Sequence, residues 1–162
     1  MNNTFKKIAL FGLIFVLFAC DKNQVFDEYR EFDGTWKKNQ KATFTFEQKD
    51  TISKYNLFLN VRNNNDYPYN NLFVIVSMNE PGGKVLVDTL EYQMTNPDGT
   101  LLGKGFSDVK ESKLWYKENF SFSKVGKYTV NVEHALRQTG RVTGVQDLEG
   151  VTEVGFRIEK TK

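Results

Sequence analysis

One cysteine, one histidine and three prolines in 162 residues narrow what this chain can be. The lone Cys20 cannot close a disulfide within the chain, and no zinc site built on several thiolates can form. The lone His134 would leave any metal site to carboxylates and carbonyls for its other ligands. No GxSxG elbow, HExxH pair or GxxxxGK[ST] loop occurs, so the local signatures of serine hydrolases, zinc proteases and phosphate-cradling NTPases are missing. Two carboxylates could still converge from any strands, but no spacing singles out such a pair. The chain therefore reads as non-enzymatic, with no cofactor and no metal. Charge is also balanced: 22 Lys and Arg stand against 20 Asp and Glu, a formal net charge of +2. Lys6 and Lys7 supply that excess and lie in the leader described next, so the body after it is neutral and lacks the basic footprint of a nucleic-acid binder.

Only one long apolar run exists, Ile8 to Phe18, and it lies at the N-terminus behind Lys6 and Lys7. A positive start, a short apolar core and a small residue, Ala19, describe a secretory signal peptide over residues 1–19. The run is too short for a bilayer-spanning helix, which needs about 20 apolar residues. Leu17-Phe18-Ala19-Cys20 resembles a bacterial lipobox, in which cleavage before the cysteine leaves it as the lipid-bearing first residue. Two or more acyl chains hold a protein stably on a membrane. Residues 20–24 are then the lipidated cysteine and a short tether, followed by a single domain over 25–162. Asp21-Lys22-Asn23-Gln24 contains no acidic run, which favours a periplasmic face over the cell exterior.

Beyond the tether the apolar period is two. Phe44 and Phe46 alternate with threonines and Glu47. Tyr55, Leu57, Leu59 and Val61 oppose Asn56, Asn60 and Arg62. Leu72 to Val76 is apolar on both faces, as in a central strand. Leu86, Leu90 and Tyr92 alternate with Val87, Thr89 and Glu91. The pattern repeats at Leu114 to Phe122, Tyr128 to Val132 and Val154 to Ile158. Turn chemistry separates these runs at Glu80-Pro81-Gly82-Gly83, Asn96-Pro97-Asp98-Gly99 and Val125-Gly126-Lys127, and an Asn-rich connection spans Asn63 to Asn71. Gly103-Lys104-Gly105 reads as a flexible turn, since no helix follows to hold a phosphate. About seven short strands predict an all-β fold, a two-sheet antiparallel β-sandwich that is immunoglobulin-like or a jelly roll. One short helix is expected at Glu133 to Gln138, ended by Gly140, with Glu133 and Arg137 spaced i, i+4 for a surface ion pair worth ~0.3–0.5 kcal/mol. His134 is read as the last inward-facing position of its strand or as a surface residue. Fourteen phenylalanines supply material for a core without disulfides.

Asn96-Pro97-Asp98-Gly99, Gly103-Lys104-Gly105, Gly126-Lys127-Tyr128-Thr129, Glu133-His134-Ala135-Leu136-Arg137, Gly150-Val151, Val154-Gly155 and Arg157-Ile158-Glu159 follow one another along the chain. In this order they resemble the gliding-motility lipoprotein GldH family of the Bacteroidetes. The lipobox and the segment Val25 to Trp36 fit the same pattern, so the resemblance spans essentially the whole chain. It implies an envelope lipoprotein needed by the gliding apparatus and the linked type IX secretion system, without known catalysis; together with the lipobox and the tether, the expected address is the outer membrane with a periplasm-facing domain. Its partners would be the membrane and other envelope proteins of that machinery.

The candidate interaction surface rests on aromatics and two arginines. Trp36, Tyr67, Tyr69 and Trp115 are expected in loops or on the polar side of their strands, where Trp and Tyr can anchor a protein interface or stack on sugar rings. Against this, Trp115 could pack beneath a second sheet. Tyr67-Pro68-Tyr69, inside the Asn-rich loop, is the preferred contact site. Arg137 and Arg157 join it through the family pattern. The second functional reading is a carbohydrate-binding sandwich of the envelope, for which a coplanar row of aromatics on one sheet face would be the sign.

Overall fold

Alternation of apolar and polar residues, with few helix formers in register, makes strands of nearly every segment after Lys22. The computed structural model describes residues 22–105, 107–137 and 143–161. The signal peptide, Cys20, Gln138 and Gly140 lie outside those residues. Ten strands follow in order: β1 Gln24–Glu31, β2 Thr35–Lys37, β3 Ala42–Gln48, β4 Tyr55–Asn63, β5 Asn71–Asn79, β6 Val85–Gln93, β7 Lys110–Phe120, β8 Gly126–His134, β9 Asp147–Glu149 and β10 Val151–Lys160.

Two four-stranded antiparallel sheets, β1-β10-β4-β7 and β3-β8-β5-β6, pack as a sandwich, and β2-β9 forms a separate two-stranded ladder. The order follows one rule. The chain doubles back at the β5–β6 hairpin, and each earlier strand pairs with its counterpart on the return: β4 with β7, β3 with β8, β2 with β9, β1 with β10. This ribbon then rolls on itself, adding the β10–β4 and β5–β8 pairs that close the sheets. A rolled double ribbon of this kind is a jelly roll, which decides between the two sandwich types expected from the sequence.

The core is aromatic. Phe46 stacks on Tyr128 with centroids 5.6 Å apart, Phe122 meets Tyr128 edge-on at 5.0 Å, and Phe156 packs against Phe44 at 5.9 Å. Leu57, Leu59, Leu72, Val76, Val130 and Ile158 fill the rest. The outer face of the β1-β10-β4-β7 sheet carries charge pairs instead: Arg62 with Glu111 and Glu153, Lys113 with Glu159, and Arg157 with Asp27 and Glu159. This layer explains why Asn60, on the expected wet side of β4, is buried, with its amide donating to the Tyr29 hydroxyl at 2.9 Å.

Two local expectations are corrected. Glu133 and His134 are not helical but finish β8, paired with Ile75 and Val74, and the Ala135 amide still donates to Phe73 O at 2.8 Å. Pairing with a central strand outweighs the weak helical pattern, and Glu133 binds Lys41 at 2.8 Å rather than Arg137. Gly103-Lys104-Gly105 is a short ladder rather than a free turn: Lys104 and Glu111 exchange both backbone hydrogen bonds at 2.8 Å. Gly103 (φ +104°) is required there, because a Cβ would lie 2.6 Å from Glu111 O.

The two ends of the sandwich differ. One carries the short turns 49–54, 80–84 and 121–125, together with the start of β1 and the end of β10, where the Lys160 amide donates to Asn23 O. The other carries the long connections β1–β3, β4–β5, β6–β7 and β8–β10.

Candidate functional site

At the loop-rich end the connections β4–β5 and β6–β7 are stitched together. The Met94 amide donates to Asn70 O at 2.8 Å, and the Thr95 hydroxyl lies 3.1 Å from Asn70 Oδ1. Asn96-Pro97-Asp98-Gly99 is a tight turn closed by Asn96 N to Thr100 O at 2.8 Å. The Thr100 hydroxyl and amide hold the Asp98 carboxyl below its usual range. Between these loops and the β8–β9 connection lies an open cleft of about 1200 Å³. Its walls offer amides from Asn70, Asn71, Gln93 and Asn96, the carboxylates Glu91 and Asp98, the Tyr69 ring and Arg137. The Asn71, Gln93 and Asn96 amides already donate to Glu91, Thr95 O and Thr100, so the lining presents their remaining protons and lone pairs, the rings of Tyr69 and Phe73 and one guanidinium, which suits recognition of a polar partner.

The expected site residues divide sharply. Tyr69 and Arg137, far apart in sequence, meet at this cleft, with Tyr69 half-buried and Arg137 exposed. Tyr67 is not a contact residue at its surface: it is 5 % exposed, and its hydroxyl donates to Asn71 O at 2.8 Å. Its ring supports Tyr69 edge-on, centroids 6.0 Å apart, and burial drives its pKa well upward. Trp36 is fully buried, contrary to the expected loop or polar-side position. Its ring stacks on Phe32 at 5.2 Å, its Nε1 donates to Gln40 O at 2.9 Å, and it plugs the space below the long loops. A strand of three residues gave too short an alternation to show which way it faced.

Trp115 is 54 % exposed on β7, an edge strand, and its ring packs at a tilt against Phe58, centroids 4.5 Å apart. It lies on the outer face, away from the second sheet and from the cleft. Arg157 is embedded in the charge layer, with Asp27 Oδ2 at 2.7 Å, Glu159 Oε1 at 2.5 Å and Gln24 Oε1 at 3.0 Å. Its guanidinium binds β1 to β10 rather than facing a partner. Sequence reasoning missed the polar half of the cleft, although the Asn-Pro-Asp-Gly turn and the Asn-rich loop were its visible traces. Among the described residues Trp115 is the one aromatic that is more than half exposed, and no coplanar row of exposed aromatics forms on a sheet face.

Among the described residues no group of three or more His, Cys, Asp or Glu side chains is placed to hold a metal ion. His134, inward-facing at the end of β8, is 2 % exposed and has no hydrogen-bond partner at either ring nitrogen. Burial is the main cause of its lowered pKa and the nearby Lys38 charge adds to it, while the Trp36 backbone and Asp147 pull the other way.

Residues 24–158 match the family model described as GldH lipoprotein. A relative from Flavobacterium johnsoniae, named gliding motility lipoprotein GldH, is 55 % identical over 145 residues, which is 90 % of each chain. Another from Christiangramia forsetii, named gliding motility lipoprotein GldH homolog, is 50 % identical over 161 residues, 99 % of each chain. Among solved structures, two of infectious bursal disease virus, one of the Gx strain and one of a VP2 subviral particle, each superpose with a TM-score of 0.43 at 8 % and 11 % identity. They cover 85–86 % of this chain, which spans only about a third of theirs.

Proposed function

The chain belongs to the GldH lipoprotein family, and from that membership we propose that it is a non-catalytic docking component of the gliding and type IX secretion machinery. Lipid at Cys20 holds it on the outer membrane, with the sandwich in the periplasm. The observation that carries the docking role is the cleft at the loop-rich end, where Tyr69 and Arg137 join a polar wall far from the short-turn end at which β1 begins. An aromatic and an arginine within a rim of amides are residue types that dominate protein interfaces.

A second reading is favoured by one feature of the same cleft. Amides from Asn70, Asn71, Gln93 and Asn96, beside carboxylates and the Tyr69 ring, are also what a carbohydrate needs. In vivo crosslinking from a photoreactive residue at position 69 separates the two. Adducts with envelope proteins are expected. Recovery of polysaccharide alone would overturn docking in favour of the sugar reading. Tyr69→Ala combined with Arg137→Glu should abolish gliding while the protein remains folded and in the membrane fraction.

A further inference from the structure

Of the large apolar side chains that stand exposed among the described residues, four gather at the short-turn end. Ile52, 92 % exposed, tips the β3–β4 turn, and Val125, 60 % exposed, ends the β7–β8 turn. Val85 opens β6 directly after the β5–β6 turn, and Val25 is the second residue of β1. Val87 follows on β6, whereas Val109 and Trp115 lie elsewhere.

These turns are held rigidly. Asp50 Oδ1 accepts from the Ile52 and Ser53 amides at 2.8 and 3.0 Å, which fixes the Ile52 side chain outward. The Thr161 amide donates to Lys54 O, tying the end of the chain to the same turn. The Ser123 hydroxyl donates to Glu80 at 2.9 Å, locking the β5–β6 turn to the β7–β8 turn. Apolar tips held in water by their own turns are unfavourable until something covers them.

The surrounding charge says what that cover is. Lys49, Lys54, Lys84 and Lys124 are all exposed in the same three turns. The only carboxylates there are Asp50, engaged by the amides above, and Glu80, which is buried. Aliphatic tips among ammonium groups match the boundary of acyl chains and phosphate headgroups. Distance points the same way: Cys20 is four residues before Gln24, so the chain reaches at most about 14 Å from the start of β1.

We infer that the short-turn end is a bilayer-docking face, with Ile52, Val125, Val85 and Val25 seated at the headgroup layer. The sandwich therefore stands upright on the membrane that holds Cys20, and the cleft of Tyr69 and Arg137 is presented roughly 30 Å above it, the length of a nine-residue strand. This rests on the lipid anchor at Cys20 proposed above.

The test uses the full acylated protein in vesicles of phosphatidylethanolamine and phosphatidylglycerol. Cys20 is the only cysteine, so once acylated it leaves an introduced thiol as the sole labelling site. An NBD fluorophore on Ile52→Cys should be reduced by external dithionite several-fold more slowly than one on Asp98→Cys at the cleft, and only the former should be quenched by nitroxide lipids. Equal access at both sites, or protection at position 98 alone, would overturn the inference. As a second measurement, Ile52→Asp with Val125→Asp should leave the unfolding midpoint unchanged and expose a probe on Val85→Cys. Continued protection of that probe would also overturn it. Labelling with radioactive palmitate is read in parallel. Loss of acylation would refute the anchor, whereas acylation with a water-exposed residue 52 refutes the orientation alone.

Discussion

The indole of Trp36 meets the imidazole of His134 edge-on, with centroids 5.2 Å apart and planes at 70°. The contact joins the short β2–β9 ladder to the last residue of β8, and both side chains are buried. It places a titratable group inside the floor of the loop-rich end, and stability should follow its protonation.

Burial and Lys38 lower the folded-state pKa of His134 below its ordinary value, near 6.5 in an unfolded chain. Between the two values the unfolded state binds more protons, so stability increases with pH across that window. The contribution is complete above about pH 6.5 and is lost as pH falls toward the lowered folded value. Urea unfolding at pH 7.5 and 5.5 should show this loss, and His134→Leu, which cannot take up the proton, should reduce it.

The two tryptophans should behave oppositely. Trp36→Ala removes a fully buried ring and its hydrogen bond to Gln40 O, at a cost of about 3–5 kcal/mol. Trp115→Ala removes an exposed ring whose main contact is Phe58, and should cost under about 1.5 kcal/mol. Thermal unfolding of both variants checks the contrast. A gliding defect in Trp115→Ala with the protein still folded would mark that edge strand as a second contact surface.

Arg157→Ala strands the Asp27 carboxylate, while Glu159 loses one of two cations and keeps Lys113 at 2.6 Å. Asp27 and Glu159 have side chains only 16 % and 17 % exposed, and Asp27 Oδ1 already lacks a partner. The expected loss is about 2–3 kcal/mol, below that for a fully buried pair because some solvent reaches the site. Adding Asp27→Asn should restore part of it, so the double variant falls short of the sum of the singles in chemical denaturation.

Gly150 separates β9 from β10 at φ +80°, and a Cβ there would lie 2.2 Å from the Tyr67 backbone nitrogen. Gly150→Ala should therefore destabilise by about 2 kcal/mol or more and displace the 64–70 loop that carries Tyr69. Gly34→Ala, also at positive φ but with open space around it, should cost only about 1–2 kcal/mol and leave that loop in place. Amide exchange at residues 64–71 distinguishes the two.

Much of this molecule is written locally. A two-residue apolar period, turn residues at Glu80 to Gly83 and Asn96 to Gly99, and an apolar run on both faces from Leu72 to Val76 are enough to define an all-β chain and the inward face of most strands. The inward position of His134, one of the two places the sequence allowed it, continues the alternation of Tyr128, Val130 and Val132 before it. The signal-peptide pattern, the lone cysteine and the missing catalytic motifs likewise need no coordinates. Tertiary structure decided the rest, because strand pairing is set by residues remote in sequence: Arg157 reaches Asp27 across 130 positions, and the ribbon matches β1 to β10 only once the hairpin has rolled. That rolling turned the segment from Glu133 into strand, buried Trp36 and Tyr67, and brought Tyr69 to Arg137. It also sorted long loops to one end and aliphatic-tipped turns to the other, an asymmetry that no local period encodes.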